Sequence, residues 1–250
     1  MKGHHIFGML ISIIMTGCVG NGTGENNACK ENGNKSAVES AKLTPCDITI
    51  GGIKFLKTKN SAAGKIEITG DTMKFVAGPQ TDYFRSPDGS VVNSSAVIFT
   101  EIDNTKPFTF TAKVTPQFTE AGTYSAGVLY AYENDTHCQK LCFEQSEDGL
   151  HRIVTVRTNG TSDDNNHQII SGKYVYMRLS SDGTTLGSYY SEDGKEWHMA
   201  RLYKNDFPEK LLLGISSQSP KDDGHTCYFS EVSLVDRATT DFRNGKLAEQ

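Results

Sequence analysis

The segment Lys140–Asn166 constrains the fold most strongly, because two β-rich runs in it flank a short link. The runs cover residues 139–145 and 151–158, and the link Ser146-Glu147-Asp148-Gly149 is rich in turn-forming residues. Two extended runs joined in this way predict a β-hairpin.

Side chains alternate between the two faces of a strand, so the first run can be divided into two sets. Lys140, Cys142 and Glu144 share one face, whereas Leu141 and Phe143 point to the other. The hairpin is therefore predicted to present polar side chains on one side and apolar side chains to a core on the other.

A dense polar segment, Thr161–Asn166, follows the second run and contains no apolar residue. Such a composition is typical of a loop. The loop is predicted either to bind a ligand or to be a well-hydrated turn.

Short strand-like runs recur along the chain, separated by turn residues. They lie at 47–50, 53–56, 65–69, 73–76, 107–114, 125–133, 174–180, 184–191, 196–203, 210–217 and 227–235. No segment sustains an apolar period of 3.6 residues over three turns, so helices are expected to be minor. About a dozen short strands predict a sandwich of two sheets. The polar segment 237–250 is predicted to be a C-terminal tail that packs loosely or not at all.

The N-terminus has the pattern of a secretory signal. Lys2 supplies a positive charge, and Ile6–Met15 is an apolar run too short for a bilayer, which requires roughly 20 residues. The run ends in Met15-Thr16-Gly17-Cys18, which resembles a bacterial lipobox, although Met15 replaces the commoner leucine. We therefore predict a lipoprotein signal peptide over residues 1–17, with Cys18 lipidated. The alternative is an ordinary secretory signal in which Cys18 is incidental.

Residues 18–46 contain hardly any large apolar side chain, and this composition predicts a flexible tether before a domain over residues 47–236. Val19 stands where an inner-membrane retention signal would place Asp, so an outer membrane is favoured if the cell has one. The predicted location is extracytoplasmic, with the membrane as a partner through the lipid anchor.

Charge and cysteine content narrow the choice of partners. The formal net charge is −5, and the Lys and Arg residues form no basic stripe, which argues against nucleic acid as a partner. Without Cys18, an odd number of cysteines remains for an oxidising compartment: Cys29, Cys46, Cys138, Cys142 and Cys227.

Several pairings are open for these cysteines. Cys138 and Cys142 lie about 13 Å apart on one strand and cannot bridge each other. Either could meet Cys227, and Cys29 could meet Cys46, but buried free thiols are the default for the strand cysteines.

Five ordered motifs carry a resemblance to a known family: KLCFEQS at 140–146, VTVRTNGTSDDNN at 154–166, YMRLSSDG at 176–183, YYSEDGKEW at 189–197 and GISSQSP at 214–220. They resemble the family called domain of unknown function 1349, which is similar to the yeast "regulation of enolase" protein. The resemblance implies a concanavalin A-like lectin/glucanase jelly-roll, an all-β sandwich of two antiparallel sheets. Two positions depart from the family pattern: Cys138 replaces an expected Trp, and Asn165 replaces an expected Cys.

Proteins of this architecture bind glycans across one sheet, so the resemblance implies carbohydrate as ligand. Sugars need apolar faces for their C–H groups and a few polar groups for their hydroxyls. The candidate ligand-binding residues are Tyr130, Tyr132, Lys140, Glu144, Ser162, Asp163, Asp164, Asn166, Tyr176 and Arg178. The missing Trp at Cys138 weakens this expectation, and the alternative is a cross-strand charge ladder of Lys140, Glu144 and Arg178.

Two other classes of function remain open. A glycoside hydrolase needs two carboxyl groups, and Glu144 with Asp163 or Asp164 is the candidate pair. Glu101-Ile102-Asp103 matches the start of the glucanase signature, but Lys106 stands where its last carboxylate is required. The third class is a non-catalytic module that binds a protein partner through the same face.

No cofactor is predicted, apart from a calcium ion that the oxygen-rich segment 162–166 could bind. No Cys or His spacing suggests zinc, and no His has the partners of a hydrolase triad. Trp197 is predicted to pack in its hairpin rather than to stack on a sugar.

Overall fold

The computed structural model describes residues 42–120 and 122–247, and it is almost entirely β-structure. Its strands in chain order are β1 Thr44–Ile50, β2 Ile53–Lys59, β3 Ile66–Thr69, β4 Thr72–Ala77, β5 Tyr83–Arg85, β6 Val91–Asn93, β7 Val97–Asp103, β8 Phe108–Pro116, β9 Ala126–Asn134, β10 His137–Gln145, β11 His151–Asn159, β12 Thr161–Ile169, β13 Val175–Ser181, β14 Thr185–Ser191, β15 His198–Lys204, β16 Lys210–Gln218, β17 His225–Val235, β18 Thr239–Asp241 and β19 Lys246–Leu247. Within these residues the helical content is a single 3-10 turn, Ala62–Lys65.

The strands form two large sheets. The eight-stranded sheet has the order β1-β2-β7-β16-β9-β10-β11-β12, and the seven-stranded sheet has the order β15-β14-β13-β8-β17-β4-β3. Neighbouring strands in both sheets are antiparallel. The predicted all-β sandwich of two antiparallel sheets is confirmed.

The predicted hairpin is formed by β10 and β11. Gly149 takes a φ of +76° in the link, a left-handed conformation that glycine adopts without steric cost. Leu141 and Phe143 are fully buried in the core between the sheets, together with Phe110 and Phe229. Alternation therefore turns the polar set of β10 away from that core, as predicted.

A second apolar cluster lies on the outer face of the eight-stranded sheet. It includes Tyr130, Tyr132 and Cys142, and a short hairpin of β5 and β6 covers it with Tyr83 and Phe84. The sequence did not reveal this cover, because β5 and β6 have only three residues each.

The polar segment after β11 is a strand and not the predicted loop. It is β12, which pairs with β11 through a turn at Gly160, where φ is +74°. Because β12 is the edge of its sheet, most of its side chains are exposed. An edge strand of this kind lacks apolar alternation, and charge on it discourages pairing with other chains.

The C-terminal segment is also better ordered than predicted. β18 and β19 pair with each other, and the Tyr189 hydroxyl donates to the Phe242 carbonyl at 2.8 Å. The backbone N–H of Thr239 donates to Ser180 at 2.9 Å. These contacts attach residues 237–247 to the outer face of the seven-stranded sheet, so the expectation of a loose tail is wrong for the described part.

In the described part of the chain, all four cysteines are free thiols: Cys46, Cys138, Cys142 and Cys227. The predicted signal peptide, Cys18 and Cys29 lie outside the described residues. No helix within residues 42–120 and 122–247 is long and apolar enough to cross a membrane.

Candidate functional site

A cavity of about 730 Å³ opens on the outer face of the eight-stranded sheet. Its floor is formed by side chains of β10, β11 and β12, and its walls by the β5–β6 hairpin and by the segment that follows β16. Its lining contains both polar groups and apolar side chains, among them Phe84 and Val92.

The strand register determines which side chains meet on the floor. Tyr130, Lys140, Val156 and Asp164 lie opposite one another on four consecutive strands. Neighbouring strands are about 4.8 Å apart, so this row crosses the sheet from β9 to its edge. Glu144 lies further along β10 on the same face.

Lys140 is 3% exposed, and its positive charge is balanced by an ion pair. Its ammonium group donates to Asp82 Oδ1 at 2.9 Å and to Gln218 Oε1 at 3.3 Å. Burial alone would lower the pKa of Lys140, but its neighbours, Asp82 foremost among them, together outweigh that effect and raise the pKa above its usual range. The lysine therefore stays charged.

Glu144 is 8% exposed and differs from Lys140 in having no bound counter-charge. In residues 42–120 and 122–247, no group donates a hydrogen bond to its carboxyl oxygens. Burial raises the pKa of Glu144 to about 8, although the positive charge of Lys140 opposes the shift. At neutral pH the side chain is thus mostly a neutral acid that can donate a hydrogen bond to a ligand.

Asp164 supplies a second carboxyl group from the edge strand. Burial against the sheet raises its pKa as well, while Lys140 acts in the opposite direction. Both Asp164 and Glu144 line the cavity, so one ligand can contact both.

Tyr124 adds an aromatic side chain beside Glu144 and has a strained backbone. Its φ is +61°, and its N–H donates to the Gln145 carbonyl at 2.6 Å. A non-glycine residue in this region costs about 1–3 kcal/mol, and such strain is common at functional sites. No sequence signal predicts this residue, because the strain depends on the contact with the end of β10.

A buried ionic cluster attaches the wall of the cavity to the sheet. Lys59, which is fully buried, contacts Asp135, and the Tyr83 hydroxyl of β5 donates to the same carboxylate at 2.7 Å. Tyr132 also donates to Asp135, at 2.5 Å, so both tyrosines share this acceptor. Burial raises the pKa of both tyrosines far above its usual range, so the hydroxyls remain donors.

The structure corrects the predicted set of ligand-binding residues in β12. Asp163 points away from the cavity and pairs with Arg201 at 3.2 Å, because it alternates with Asp164 along the strand. Ser162 bonds Thr158 and accepts from the backbone N–H of Arg85, so it fixes β5 to the sheet. Asn166 is exposed and does not line the cavity.

Tyr130 and Tyr132 lie on the predicted face but are covered. Tyr130 is 0% exposed and Tyr132 is 3% exposed, and both pack edge-on against Tyr83 of the hairpin. They support the floor of the site and offer no open ring to a sugar.

Tyr176 and Arg178 belong to the other sheet and are not part of this site. Tyr176 hydrogen-bonds Glu231 at 3.1 Å, and the Arg178 guanidinium stacks 3.5 Å from the centre of the Trp197 ring. Alternation along a strand assigns a face, but it does not reveal to which sheet the strand belongs. The predicted ladder of Lys140, Glu144 and Arg178 is therefore wrong.

Metal binding by the segment 162–166 would need carboxylates that converge. Asp163 and Asp164 point to opposite faces of β12, so an ion on one face would meet only one of them. Within the described residues, no group of three or more His, Cys, Asp or Glu side chains could hold a metal ion.

Two large antiparallel sheets, with a polar cavity on the outer face of one of them, place the chain among the jelly-roll β-sandwich proteins. Within this class, residues 60–236 match the family described as "Protein of unknown function (DUF1349)". The chain belongs to this family. No curated protein matches the chain in sequence.

Solved structures show the same fold. A functionally unknown protein from Saccharomyces cerevisiae is 22% identical, with a TM-score of 0.65, over 72% of this chain and 95% of its own length. The GH43 protein BlXynB from Bacillus licheniformis is 13% identical, with a TM-score of 0.54, over 70% of this chain. GH43B from a Bacteroides ovatus xyloglucan locus is 11% identical, with a TM-score of 0.56, over 76% of this chain.

The two GH43 proteins are much longer than the matching region. The match covers 35% of BlXynB and 38% of the Bacteroides protein. At these identities the likeness concerns the fold.

Proposed function

We propose that this protein binds a carbohydrate in the cavity on the eight-stranded sheet. The observation that carries the proposal is the buried Glu144 carboxyl group, which faces the cavity without a hydrogen-bond donor from the described residues. The cavity gives a ligand hydroxyl access to this carboxyl group, and a hydrogen bond between the two would contribute about 0.5–1.5 kcal/mol.

The other cavity side chains suit the surface of a sugar. Lys140 donates, the Asp164 carboxylate accepts, and the protonated Glu144 can do either, which matches hydroxyls that donate and accept. Phe84 and Tyr124 supply apolar surface for C–H faces. The same fold in GH43 proteins, one of them named for a xyloglucan locus, supports a polysaccharide ligand.

A glycan array followed by calorimetry tests the proposal. The wild-type protein should bind one class of neutral glycan on the array. Glu144→Gln should bind that glycan about tenfold more weakly, a difference of about 1.4 kcal/mol. Glu196→Gln is the matched control, because Glu196 is exposed in the β14–β15 turn, far from the cavity lining. Equal affinity of the two variants would remove Glu144 from the site.

A glycoside hydrolase remains the second candidate, with Glu144 as acid and Asp164 as the carboxylate partner. The raised pKa of Glu144, about 8, favours it, because a general acid must hold its proton at working pH. Release of reducing sugar from a retained glycan would support catalysis, provided that Asp164→Asn abolishes it. Binding of a glycan without release of reducing sugar would indicate a binding protein and not a hydrolase.

We also propose that the protein is an extracytoplasmic lipoprotein, anchored through Cys18 in the outer membrane if the cell has one. The lipobox-like sequence before Cys18 supports this. Metabolic labelling with a fatty acid should modify wild type and leave Cys18→Ser unlabelled. Label retained by that variant would contradict the anchor.

A further inference from the structure

A second pocket, of about 270 Å³, lies on the outer face of the seven-stranded sheet. It is bordered by β8, β13 and β17, by the turn before β15, and by Leu247 of the C-terminal segment. Two guanidinium groups, those of Arg178 and Arg237, line it.

Arg178 is 7% exposed and is fixed in place on three sides. Its Nε donates to Thr111 Oγ1 at 3.2 Å, its Nη1 donates to the Gly245 carbonyl at 2.8 Å, and its plane stacks on Trp197. All of these partners are neutral. Burial, with a smaller contribution from the charge of Arg237, lowers the pKa of Arg178 to about 10.

Arg237 is half-buried, and its Nε is a buried donor without an acceptor. An unpaired buried donor is costly, and more so when it belongs to a charged group. The pocket therefore places an unused charged donor beside a second arginine.

The carboxylates of the described residues do not compensate these charges. Neither guanidinium has a carboxylate oxygen of residues 42–120 or 122–247 within 4.0 Å. Glu231 lines the same pocket, but it pairs with Lys113 at 3.4 Å and accepts from Tyr176. Glu231 lies at a β-bulge of β17 with a φ of +49°.

We propose that this pocket is an oxyanion site that binds a carboxylate- or phosphate-bearing ligand between Arg178 and Arg237. A guanidinium presents parallel N–H donors that match the oxygens of either group. The Thr111 and Ser233 hydroxyls at the pocket wall provide further donors. The size of the pocket suits a small anionic group, such as a uronic acid residue or a phosphate ester. This site is separate from the cavity on the eight-stranded sheet.

Titration calorimetry with three probes tests the proposal: glucuronate, inorganic phosphate and glucose. At least one of the anions should bind with a millimolar or lower Kd, whereas glucose should not bind at this site. Arg237→Gln should weaken that binding by about tenfold or more. Arg178→Lys keeps the charge but removes the parallel donors, so it should weaken binding too.

Two controls make the result decisive. Lys74→Gln removes one exposed charge from the same sheet, outside the pocket, and should change the affinity less than about twofold. Glu249→Gln removes the carboxylate side chain nearest in sequence to Leu247, so it tests whether that one side chain competes with the probes. Preference for glucuronate indicates a carboxylate ligand, and preference for phosphate indicates a phosphoryl ligand. Failure of both anions to bind wild type and Glu249→Gln would overturn the proposal, as would equal binding by Arg237→Gln and Lys74→Gln.

Discussion

Lys140 of β10 pairs with Asp82, 2.9 Å away in the segment before β5, and not with Glu144 on its own strand. This pairing has two consequences. It connects the wall of the cavity to its floor, and it leaves the Glu144 carboxyl group available to a ligand.

The first prediction concerns the pH dependence of stability. Folded Glu144 loses its proton near pH 8, whereas the ordinary value is 4.5. Between these values the folded state binds one proton more than the unfolded state. The free energy of unfolding therefore falls with rising pH, by up to about 1.4 kcal/mol per pH unit from this group. The contribution is complete below 4.5 and is lost as the pH passes 8.

Urea unfolding at a series of pH values checks this prediction. Over that interval the free energy of unfolding of Glu144→Gln should fall less steeply with pH than that of wild type. The exposed control Glu196→Gln should show the same pH dependence as wild type. A pH profile of Glu144→Gln parallel to that of wild type would mean that the carboxyl group is ionised in the folded protein.

The second prediction concerns the Lys140–Asp82 pair. Lys140→Met leaves Asp82 without its partner, and breaking a buried pair costs about 3–5 kcal/mol. Since the Asp82 side chain is 20% exposed, we expect the lower end of that range. Urea unfolding should show that Lys140→Met with Asp82→Asn is more stable than Lys140→Met alone. Additive losses would argue against the pair.

The hairpin of β10 and β11 and the face of Glu144 could be predicted from the sequence, because alternation and a Gly-containing link are local signals. The cover of that face could not. Tyr83 and Phe84 are held on the sheet by contacts with residues far along the chain: the Tyr83 hydroxyl donates to Asp135, 52 residues later, and Ser162 accepts from the backbone N–H of Arg85. A contact of this range leaves no mark in the local pattern.

The third prediction tests this cover. Tyr83→Phe removes the 2.7 Å hydrogen bond to Asp135, and a hydrogen bond to a charged group contributes about 1.5–3 kcal/mol. Lys59 and Tyr132 still contact the carboxylate, so we expect a loss near the lower value. Thermal unfolding compared with Tyr174→Phe, a change at a tyrosine that is 39% exposed, checks it. Equal Tm values for the two variants would contradict the buried cluster.

The fourth prediction concerns the C-terminal segment. Gly245 has a φ of +65°, and a Cβ there would lie 2.7 Å from the Tyr189 ring and 3.1 Å from Trp197 Cβ. Gly245→Ala should therefore displace the segment and release the Arg178 contact, at a cost of about 1–3 kcal/mol.

Gly52 provides the control, because its φ is +75° and a Cβ there would meet nothing within 4 Å. Gly52→Ala carries the backbone strain without the clash. Hydrogen exchange should show loss of protection at residues 239–247 in Gly245→Ala alone. The same exchange pattern in both variants would show that the segment does not pack against Tyr189.

The fifth prediction concerns thiol reactivity. Burial raises the pKa of Cys138 to about 11, and it raises that of Cys142 and Cys227 well above the usual range. These thiols should react with iodoacetamide only after local opening, whereas the partly exposed Cys46 should react first. Peptide mass spectrometry after timed alkylation measures the order. Early labelling of Cys142 would contradict a covered outer face.

The mistaken site residues have a common physical origin. Strand alternation predicts Arg178 at the site and the polar segment 162–166 predicts Asp163 there, but the sheet and the face depend on pairing partners distant in the chain. Arg178 pairs through β13 with β8, and Asp163 alternates with Asp164 on an edge strand whose polar sequence resembles a loop. The candidate site in the structure consequently retains Lys140, Glu144 and Asp164 from the predicted set.

The most direct test of the central claim is two-dimensional NMR of the isotopically labelled protein, titrated with the glycans that an array retains. A carbohydrate in the cavity predicts amide shifts at Tyr124, Lys140, Glu144 and Asp164, and their loss in Glu144→Gln. Shifts confined to the face of Arg178, or no retained glycan at all, would contradict it.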